Sequence, residues 1–522
     1  MRKESRTRNS LINIATGIGG QILSIILKFV TRTVFIHTLG TSYIGINGLF
    51  SNILTMLSLT ELGLDAAINF KLYKPLAERD EHRVRVLMKF YKQAYRVIGF
   101  VILLIGLAII PTLRFIIKDY DSLEVLGINA VFIFILYLLQ SVSSYLFFGY
   151  RSAVIKAAQK NYIINNVEII MSVITNITQI IILYIWQDFV LYTASALLFI
   201  IVQNGVNAIF AQKMFPNFFT KEEGKLTKNE VIDLFKDCGA LFVYRMNSVA
   251  LKSTDNLVLS TFIGLKIVGL YSNYLMFYTT ISTFLSRIYS SVKASMGNLF
   301  TTAEISKSYF FFEVMNLITV IFYGTACIGV AVLANDVIEV WIGPDYIIPQ
   351  PLPILIGIEI LLRGLKTNLG QIRNISGAFR QMWFRPVLSV IINLVVSVIM
   401  VQFWGIYGVL IGTIAADVLT NLLVDPKIIH EYSFKQYKPV SYYYKKNGIY
   451  LITLLAVGVI VAFLRSVVLP GRGWIWVITH ILICGIIAPA ALILLNYRKP
   501  ECKYLIQKAR TIGKGIVNRI HQ

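Results

Sequence analysis

The chain has 522 residues, of which 56% are hydrophobic and 15% charged, and its mean hydropathy is +0.68. Soluble domains are roughly 45–50% apolar, so this composition excludes a soluble globular protein and predicts an integral membrane protein. The formal net charge is +22, but Lys and Arg fall in alternate loops instead of along one aromatic-rich surface. We therefore predict no nucleic-acid partner and interpret the basic residues first as topology signals.

Apolar runs recur along the whole chain with a length of about 20 residues, which a helix needs to cross the hydrocarbon core. The first ten residues, MRKESRTRNS, resemble the start of a signal peptide. The apolar run that follows is too long and has no small-residue cleavage site, so we expect an uncleaved first helix. The sequence predicts an all-α polytopic protein with about fourteen helices, centred near residues 26, 57, 105, 135, 174, 200, 251, 282, 321, 362, 394, 417, 459 and 485.

The loops between these helices alternate in charge. Positive residues are concentrated before residue 10, in 71–96, in 213–236, in 435–446 and after Arg498. The intervening loops, such as WQD and NDVIEVWIGPDY, contain little positive charge. Because short cytoplasmic loops carry an excess of Lys and Arg, the basic loops and both termini are predicted to be cytoplasmic.

A weak internal repeat appears when the chain is shifted by 224 residues. Gly40 then aligns with Gly264, Gly45 with Gly269, and Lys28 with Lys252. Six crossings return the chain to its starting side, so the two copies have the same orientation, as in the parallel repeats of secondary transporters. The predicted organisation is an N-terminal six-helix lobe (1–214), a cytoplasmic linker (215–237), a second six-helix lobe (238–430), two extra helices (431–497) and a basic amphipathic cytoplasmic tail (498–522).

Charged residues lie inside two of the predicted helices that this repeat relates. In the first helix, polar or small residues recur at helical spacing up to Lys28 and Arg32, and the seventh helix carries Arg245, Lys252 and Asp255. A central Lys or Arg costs roughly 2.5–3.5 kcal/mol on insertion scales and almost always faces a protein interior or a wet cavity. The two stripes predict a shared cationic cavity between the lobes. The alternative is that Lys28 and Arg32 reach the outer headgroups, as long basic side chains do near helix ends.

Further candidates lie on the second, eighth and tenth helices. Arg287 and Arg363 are additional cationic candidates for the same cavity, and Arg363 shares a helical face with Glu359 and Lys366. The acids Glu61 and Asp65, one turn apart, either pair with the basic face of the first helix or, like Asp255, bind a coupling cation.

A basic cavity in a membrane attracts an anionic substrate, and Arg holds phosphate oxygens in a bidentate manner. A sugar linked to a lipid through pyrophosphate has a charged head and an apolar tail that suit such a chamber. The sequence therefore favours a transporter of lipid-linked oligosaccharides that works by alternating access, with membrane lipids around it.

The chain resembles the oligosaccharide flippases of the multidrug, oligosaccharidyl-lipid and polysaccharide exporter superfamily. The resemblance lies in LGTSYIGINGLFSNIL, ELGLDAAI, RSAVIKAAQKNYIIN and NISGAFRQMWFRPVLSVIINL, in that order, across about residues 8–430. It implies two six-helix lobes around a cationic lumen. It also implies transport of undecaprenyl-pyrophosphate-linked repeat units to the outer leaflet of a bacterial inner membrane for the synthesis of surface polysaccharide, such as capsule or the O-antigen of lipopolysaccharide, with polymerase and assembly proteins as partners.

Two other functions are consistent with parts of the sequence. A multidrug exporter of the same superfamily would share the fold, but it usually needs acidic cavity residues for cationic drugs. A membrane polymerase or glycosyltransferase would need a long outer loop with acids or histidines. The five histidines form no motif and the four cysteines have no CxxC spacing, so we predict no catalytic residue, no metal site and no cofactor.

Overall fold

The structure is a computed structural model of the whole chain. The part that it describes comprises residues 6–58, 64–118, 120–125, 127–158, 160–220, 224–233, 253–302, 304–376, 384–467, 471 and 473–520. The chain forms two compact units, Met1–Gly269 and Leu270–Gln522.

Helices make up most of the first unit, and polar side chains define where several of them begin. Asp80 Oδ1 accepts a bond from the Arg83 amide (2.8 Å), Asn129 Oδ1 from Phe132 (3.0 Å) and Asp188 Oδ1 from Leu191 (2.8 Å). Each side chain thus satisfies an amide that the first helical turn leaves without a partner. The helices are Arg6–Leu39, Thr41–Leu57, Leu64–Glu78, Glu81–Ile109, Leu113–Ile116, Tyr120–Val125, Ala130–Leu146, Ser152–Ala157, Asn161–Ile185, Phe189–Met214, 228–233 and 253–262.

The second unit contains longer helices and one wide helical turn. Its helices are Leu265–Thr302, which begins in the first unit, Ile305–Ile342, Leu352–Ser376, Arg385–Trp404, Ile406–Ala416, Asp425–Tyr432, Val440–Val467, Trp474–Asn496 and Pro500–Ile520. The turn Asp417–Leu422 is of the π type and continues the helix that begins at Ile406. There the Leu423 amide donates to the Val418 carbonyl, five residues earlier, at 3.1 Å.

The predicted fold class is confirmed: the described chain is helical, and about fourteen crossings fit its helices. Every predicted helix centre lies within a described helix except residue 251, which lies outside the described residues. Eight helices of the described part are long and apolar enough to span a membrane, or nine if Ala130–Leu146 and Gly149–Ala157, bent by 45°, form one span.

The surface of these helices is apolar where a soluble protein would be polar. On the Val440–Val467 helix, Leu455 is 71% exposed and Val459 is 70% exposed. Large exposed apolar surfaces of this kind mark contact with an apolar medium. The protein is therefore a multi-pass membrane protein whose outer helix faces meet lipid.

Two glycines that the repeat relates to each other are in contact within the first unit. A Cβ atom on Gly45 would lie 2.2 Å from the Leu265 carbonyl oxygen, and one on Gly269 would lie 2.3 Å from the Thr41 carbonyl oxygen. Thr41 and Leu265 are also equivalent under the shift of 224, so the contact is reciprocal. Only glycine allows the two helix starts to approach this closely.

A set of hydrogen bonds also joins the 253–262 helix to the rest of the first unit. The Lys118 amide donates to the Ser260 carbonyl (3.2 Å) and Lys118 Nζ to the Phe262 carbonyl (2.9 Å). Thr261 Oγ1 donates to the Ile116 carbonyl (3.2 Å). These contacts explain why residues up to Gly269 group with the first unit, whereas the repeat divides the sequence near residue 238. The repeat-based lobes stay a prediction.

Part of the predicted linker packs on the first unit. The Thr227 amide donates to Glu230 Oε2 (2.8 Å) and the Glu230 amide to Thr227 Oγ1 (3.4 Å), a reciprocal helix cap. Glu230 also forms an ion pair with Arg83, at the start of the Glu81–Ile109 helix. These bonds from the Thr227 backbone, Arg83 and the Thr227 side chain lower the pKa of Glu230 to about 2.

Candidate substrate-binding residues

Arg32 is the predicted cationic residue whose surroundings are best defined in the first unit. It is partly buried, and its guanidinium lies within electrostatic range of the hydroxyls of Tyr192 and Tyr137. Phe35, one turn further along the helix, packs edge-on against Tyr192 at a ring distance of 5.0 Å. Arg32 therefore lies one turn from an aromatic contact and interacts electrostatically with two tyrosine hydroxyls.

Neutral hydrogen bonds fix the helices around Arg32. Thr31 Oγ1 donates to Asn176 Oδ1 at 2.7 Å, and Thr31 is 5% exposed. Gln140 Nε2 donates to the Thr193 carbonyl at 2.9 Å. A polar group buried at membrane depth needs such a partner, so these bonds hold the Arg6–Leu39 helix in register with its neighbours.

The remaining predicted residues of the first unit are less well defined. The Lys28 side chain is exposed, whereas Asp255 is 5% exposed. Glu61, Arg245 and Lys252 lie outside the described residues, and the side chain of Asp65 is likewise not described. Among the cationic candidates of this unit, Arg32 has two described tyrosines, Tyr137 and Tyr192, within electrostatic range.

In the second unit, Arg363 contacts a tyrosine. Its Nη1 donates to the Tyr278 hydroxyl at 3.2 Å, and the guanidinium carbon lies 5.6 Å from the centre of the same ring. The contact combines a hydrogen bond with a cation–π interaction. Arg287 lies on the same helix as Tyr278, but its side chain is outside the described set.

Lys366, one turn after Arg363, is neutralised. Its Nζ donates to both oxygens of Asp417, at 2.9 and 3.0 Å, and Asn421 Nδ2 donates to Asp417 Oδ1 at 2.8 Å. The helical face that carries Glu359, Arg363 and Lys366 is thus partly compensated by an acid from another helix.

A second acid, Asp425 at the start of the Asp425–Tyr432 helix, is fully buried and has two basic partners. Asp425 is 0% exposed and lies 3.4 Å from Arg373 Nη1 and 3.2 Å from Arg385 Nε. A buried carboxylate needs such partners because its desolvation is costly. The π-type turn Asp417–Leu422 lies between the two acids and sets the direction of Asp425 relative to Asp417.

An apolar cavity of about 420 Å³ lies in the second unit. It is formed by the Leu265–Thr302, Ile305–Ile342 and Trp474–Asn496 helices. Its lining is almost wholly hydrocarbon and includes Phe277, Phe322, Leu333, Ile481, Cys484 and Pro489. A space of this size and chemistry accepts an apolar chain and excludes a charged group.

The sequence match to known proteins is consistent with this architecture. A family model described as polysaccharide biosynthesis protein matches residues 10–293, more than half of the chain. The chain belongs to the polysaccharide biosynthesis protein family. No curated protein matches the chain.

Solved structures show the fold of this family member. The lipid II flippase MurJ in an inward closed conformation has a TM-score of 0.61 and 14% identity, covering 93% of this chain and 99% of that chain. An inward-facing multidrug resistance MATE family transporter of the MOP superfamily has a TM-score of 0.60 and 12% identity, covering 80% of this chain and 96% of that chain. The outward-facing MATE family structure has a TM-score of 0.54 and 12% identity, covering 82% and 97%. At these identities the likeness establishes the fold alone, which this chain shares with MurJ and the MATE family transporters.

Several residues of this family member were not predicted from the sequence. Tyr137, Tyr192 and Tyr278 flank the candidate arginines, and the signal available was a polar hydroxyl within an otherwise apolar helix. Arg385 and Asp425 each precede a proline at a helix start, which marks a helix boundary but does not reveal that the two pair. Among the described residues, no three His, Cys, Asp or Glu side chains lie close enough to hold a metal ion.

Proposed function

We propose that this protein flips undecaprenyl-pyrophosphate-linked oligosaccharide repeat units from the cytoplasmic to the outer leaflet, for surface polysaccharide such as O-antigen or capsule. The observation that carries the proposal is the match of residues 10–293 to the polysaccharide biosynthesis family. The MOP-superfamily fold supports a transporter that exposes its binding residues to each side in turn.

The proposed role of Arg32 and Arg363 is to hold the anionic head of the substrate. Arg363 donates to the Tyr278 hydroxyl, and Arg32 interacts electrostatically with the hydroxyls of Tyr192 and Tyr137. A guanidinium can hold two phosphate oxygens at once in a bidentate manner. Lys28, Lys252, Arg245 and Arg287 are proposed to complete the cationic set, with Glu61, Asp65 and Asp255 available for ion coupling or charge pairing.

The proposed place for part of the lipid tail is the apolar cavity of the second unit. A polyisoprenyl chain carries no polar group, so it is compatible with a lining of Phe, Leu, Ile and Pro side chains. The proposed setting is a bacterial plasma membrane with both termini in the cytoplasm, next to the polymerase and assembly proteins that would use the product.

The proposal is tested in cells that need this gene for surface polysaccharide. Arg32→Gln and Arg363→Gln are each expected to lower surface polymer by at least about tenfold, because a lost charged hydrogen bond costs roughly 1.5–3 kcal/mol. Lipid-linked repeat units should accumulate in the membrane at the same time. The matched control is Lys307→Gln, which removes an exposed positive charge at the start of the Ile305–Ile342 helix and should leave polymer unchanged.

Undiminished polymer at normal protein levels in both arginine variants, and in the Lys28→Gln/Lys252→Gln double variant, would remove this mechanism.

The second candidate is a cation-coupled multidrug exporter, which the fold match to the MATE family structures supports. That candidate predicts that expression raises resistance to cationic dyes. Formation of a new covalent product from lipid-linked sugar by purified protein would instead indicate a polymerase or glycosyltransferase.

A further inference from the structure

The Pro500–Ile520 helix is fixed to the second unit by a buried group of charges. Lys446 Nζ lies 2.7 Å from Glu313 Oε1 and 2.7 Å from Glu501 Oε1, and the Tyr450 hydroxyl donates to Glu501 at 3.1 Å. The Glu501 side chain is only 3% exposed. The start of this helix is therefore a packed element of the protein.

Aromatic contacts position the same side of the helix. Tyr504 packs edge-on against Phe310 at 5.7 Å and against Phe311 at 5.9 Å. Cys502 is 1% exposed. Residues 501, 502 and 504 thus define the face that lies against the Ile305–Ile342 and Val440–Val467 helices.

The helix also carries exposed basic side chains. Lys503 and Arg510 lie with Gln507 on the side opposite the docked residues, and all three are exposed. Lys508, one turn after Tyr504, is exposed as well. Since residues 501, 502 and 504 face the protein, the cations on the 503, 507 and 510 side are presented to the surroundings.

The start of the helix is close to the end of a candidate membrane span. It begins only four residues after the membrane-spanning Trp474–Asn496 helix ends. Between the two helices, Arg498 Nε donates to the Tyr497 hydroxyl at 2.9 Å, and Tyr497 is 49% exposed. An exposed Tyr beside an Arg at the end of a spanning helix is typical of the headgroup region.

We propose that the exposed face of the Pro500–Ile520 helix binds the headgroups of anionic phospholipids. Its charge is complementary to theirs, and its position next to a spanning helix places the cations within a Debye length of the lipid surface. Because the other face is docked, the helix does not have to fold or insert in order to bind. The binding is separate from substrate transport and does not depend on which sugar is carried.

The test uses the full-length protein in two kinds of nanodisc, one of phosphatidylcholine alone and one that also contains phosphatidylglycerol. Amide hydrogen exchange is followed for residues 500–511, with residues 224–233 of the linker as an internal reference. Exchange of residues 500–511 in the wild-type protein should be slower in the anionic nanodisc than in the neutral one. Each cation that is removed by substitution should reduce this slowing roughly fivefold. High salt should reduce the difference.

The variant Lys503→Gln/Lys508→Gln/Arg510→Gln should lose the difference between the two nanodiscs. The charge-conserving variant Lys503→Arg/Lys508→Arg/Arg510→Lys should keep it. Both retain Glu501 and Tyr504, so their Tm in the neutral nanodisc should equal that of the wild type. The proposal fails if the Gln variant gains the same protection, if wild type exchanges equally in both nanodiscs, or if inorganic phosphate in the neutral nanodisc reproduces the effect.

Discussion

Among the described residues, the two units contain different kinds of buried polar contact. In the first unit, the bonds around Arg32 are between neutral groups, such as Thr31 with Asn176. Ion pairs whose two partners are both described there lie at partly or fully exposed positions, such as Arg83 with Glu230. In the second unit, charges are paired in the interior, as in Lys446 with Glu313 and Glu501.

This difference matters for a protein that must bind a charged substrate. A paired carboxylate cancels a neighbouring cation, so Lys366 beside Asp417 offers little net charge to an anion. Arg363 instead donates to the Tyr278 hydroxyl, and the Arg32 guanidinium interacts electrostatically with Tyr192 and Tyr137, which are neutral groups. A count of the basic residues within the helices therefore overstates how many of them are available to bind an anionic substrate.

The largest expected effect comes from breaking the buried pairing of the second unit. Lys446→Met removes the cation that Glu313 and Glu501 share, whose side chains are 10% and 3% exposed, and leaves Glu313 with its 3.3 Å contact to the partly exposed Lys438. Loss of one partner of a buried pair costs about 3–5 kcal/mol, so the Tm of the purified protein in detergent should fall strongly. Glu313→Gln/Lys446→Met/Glu501→Gln removes all three charges and should recover most of the loss. A single variant with a wild-type Tm would contradict the assignment.

A smaller effect is expected from the close helix contact of the first unit. Gly45→Ala places a methyl group 2.2 Å from the Leu265 carbonyl oxygen, and overpacking of this kind costs about 1–3 kcal/mol. The control is Gly48→Ala on the same helix, where the nearest atom is Val268 Cγ1 at 3.7 Å. That variant should be neutral or slightly stabilising, because Ala favours helix by up to about 1 kcal/mol over Gly. Equal unfolding midpoints in both variants would refute the contact.

Double-mutant cycles compare the two kinds of polar bond directly. For Lys366 and Asp417 the coupling free energy should reach about 1.5 kcal/mol or more, because both groups are charged. For Thr31 and Asn176 it should be near 0.6 kcal/mol, a common value for neutral bonds between membrane helices. Unfolding of the single and double variants, Lys366→Met, Asp417→Leu, Thr31→Val and Asn176→Leu, provides the measurement. Equal couplings would remove the distinction between the units.

The smallest effect concerns the linker. The folded pKa of Glu230 is about 2, below its ordinary value of 4.5, so its contribution to linker docking is full above pH 4.5 and is lost as the pH falls toward 2. The pair with Arg83 is partly exposed, so the contribution should stay below about 1 kcal/mol. Hydrogen exchange of residues 224–233 should quicken over this pH range beyond the intrinsic rate. Glu230→Gln should abolish that additional dependence.

Most helices and their approximate centres could be predicted because lipid imposes a minimum apolar length on every span. The centre predicted near residue 57 falls instead on the last residue of the Thr41–Leu57 helix. Gly45 and Gly269 could be identified as equivalent because the same residue recurs at a fixed shift. Their direct contact could not be predicted, since it depends on how the two helices cross.

The pairing of charges was also beyond the sequence. Arg373 and Asp425 are separated by 52 residues, and nothing in their local pattern identifies one as the partner of the other. The same holds for Arg32 and its tyrosines, which come from different helices. Helical spacing predicts which residues share a face, but the packing of helices decides which residue a face meets.

The wide turn Asp417–Leu422 determines how the protein would respond to the deletion of a single residue at this point of the chain. An α-helix rotates by about 100° per residue, so loss of one residue from this turn would swing Asp425 away from Arg373 and Arg385 by about that angle. Asp417, which precedes most of the turn, would keep its bond to Lys366. A single-codon deletion here should therefore strand one carboxylate in the membrane while sparing its neighbour, although every side chain of both pairs is still encoded.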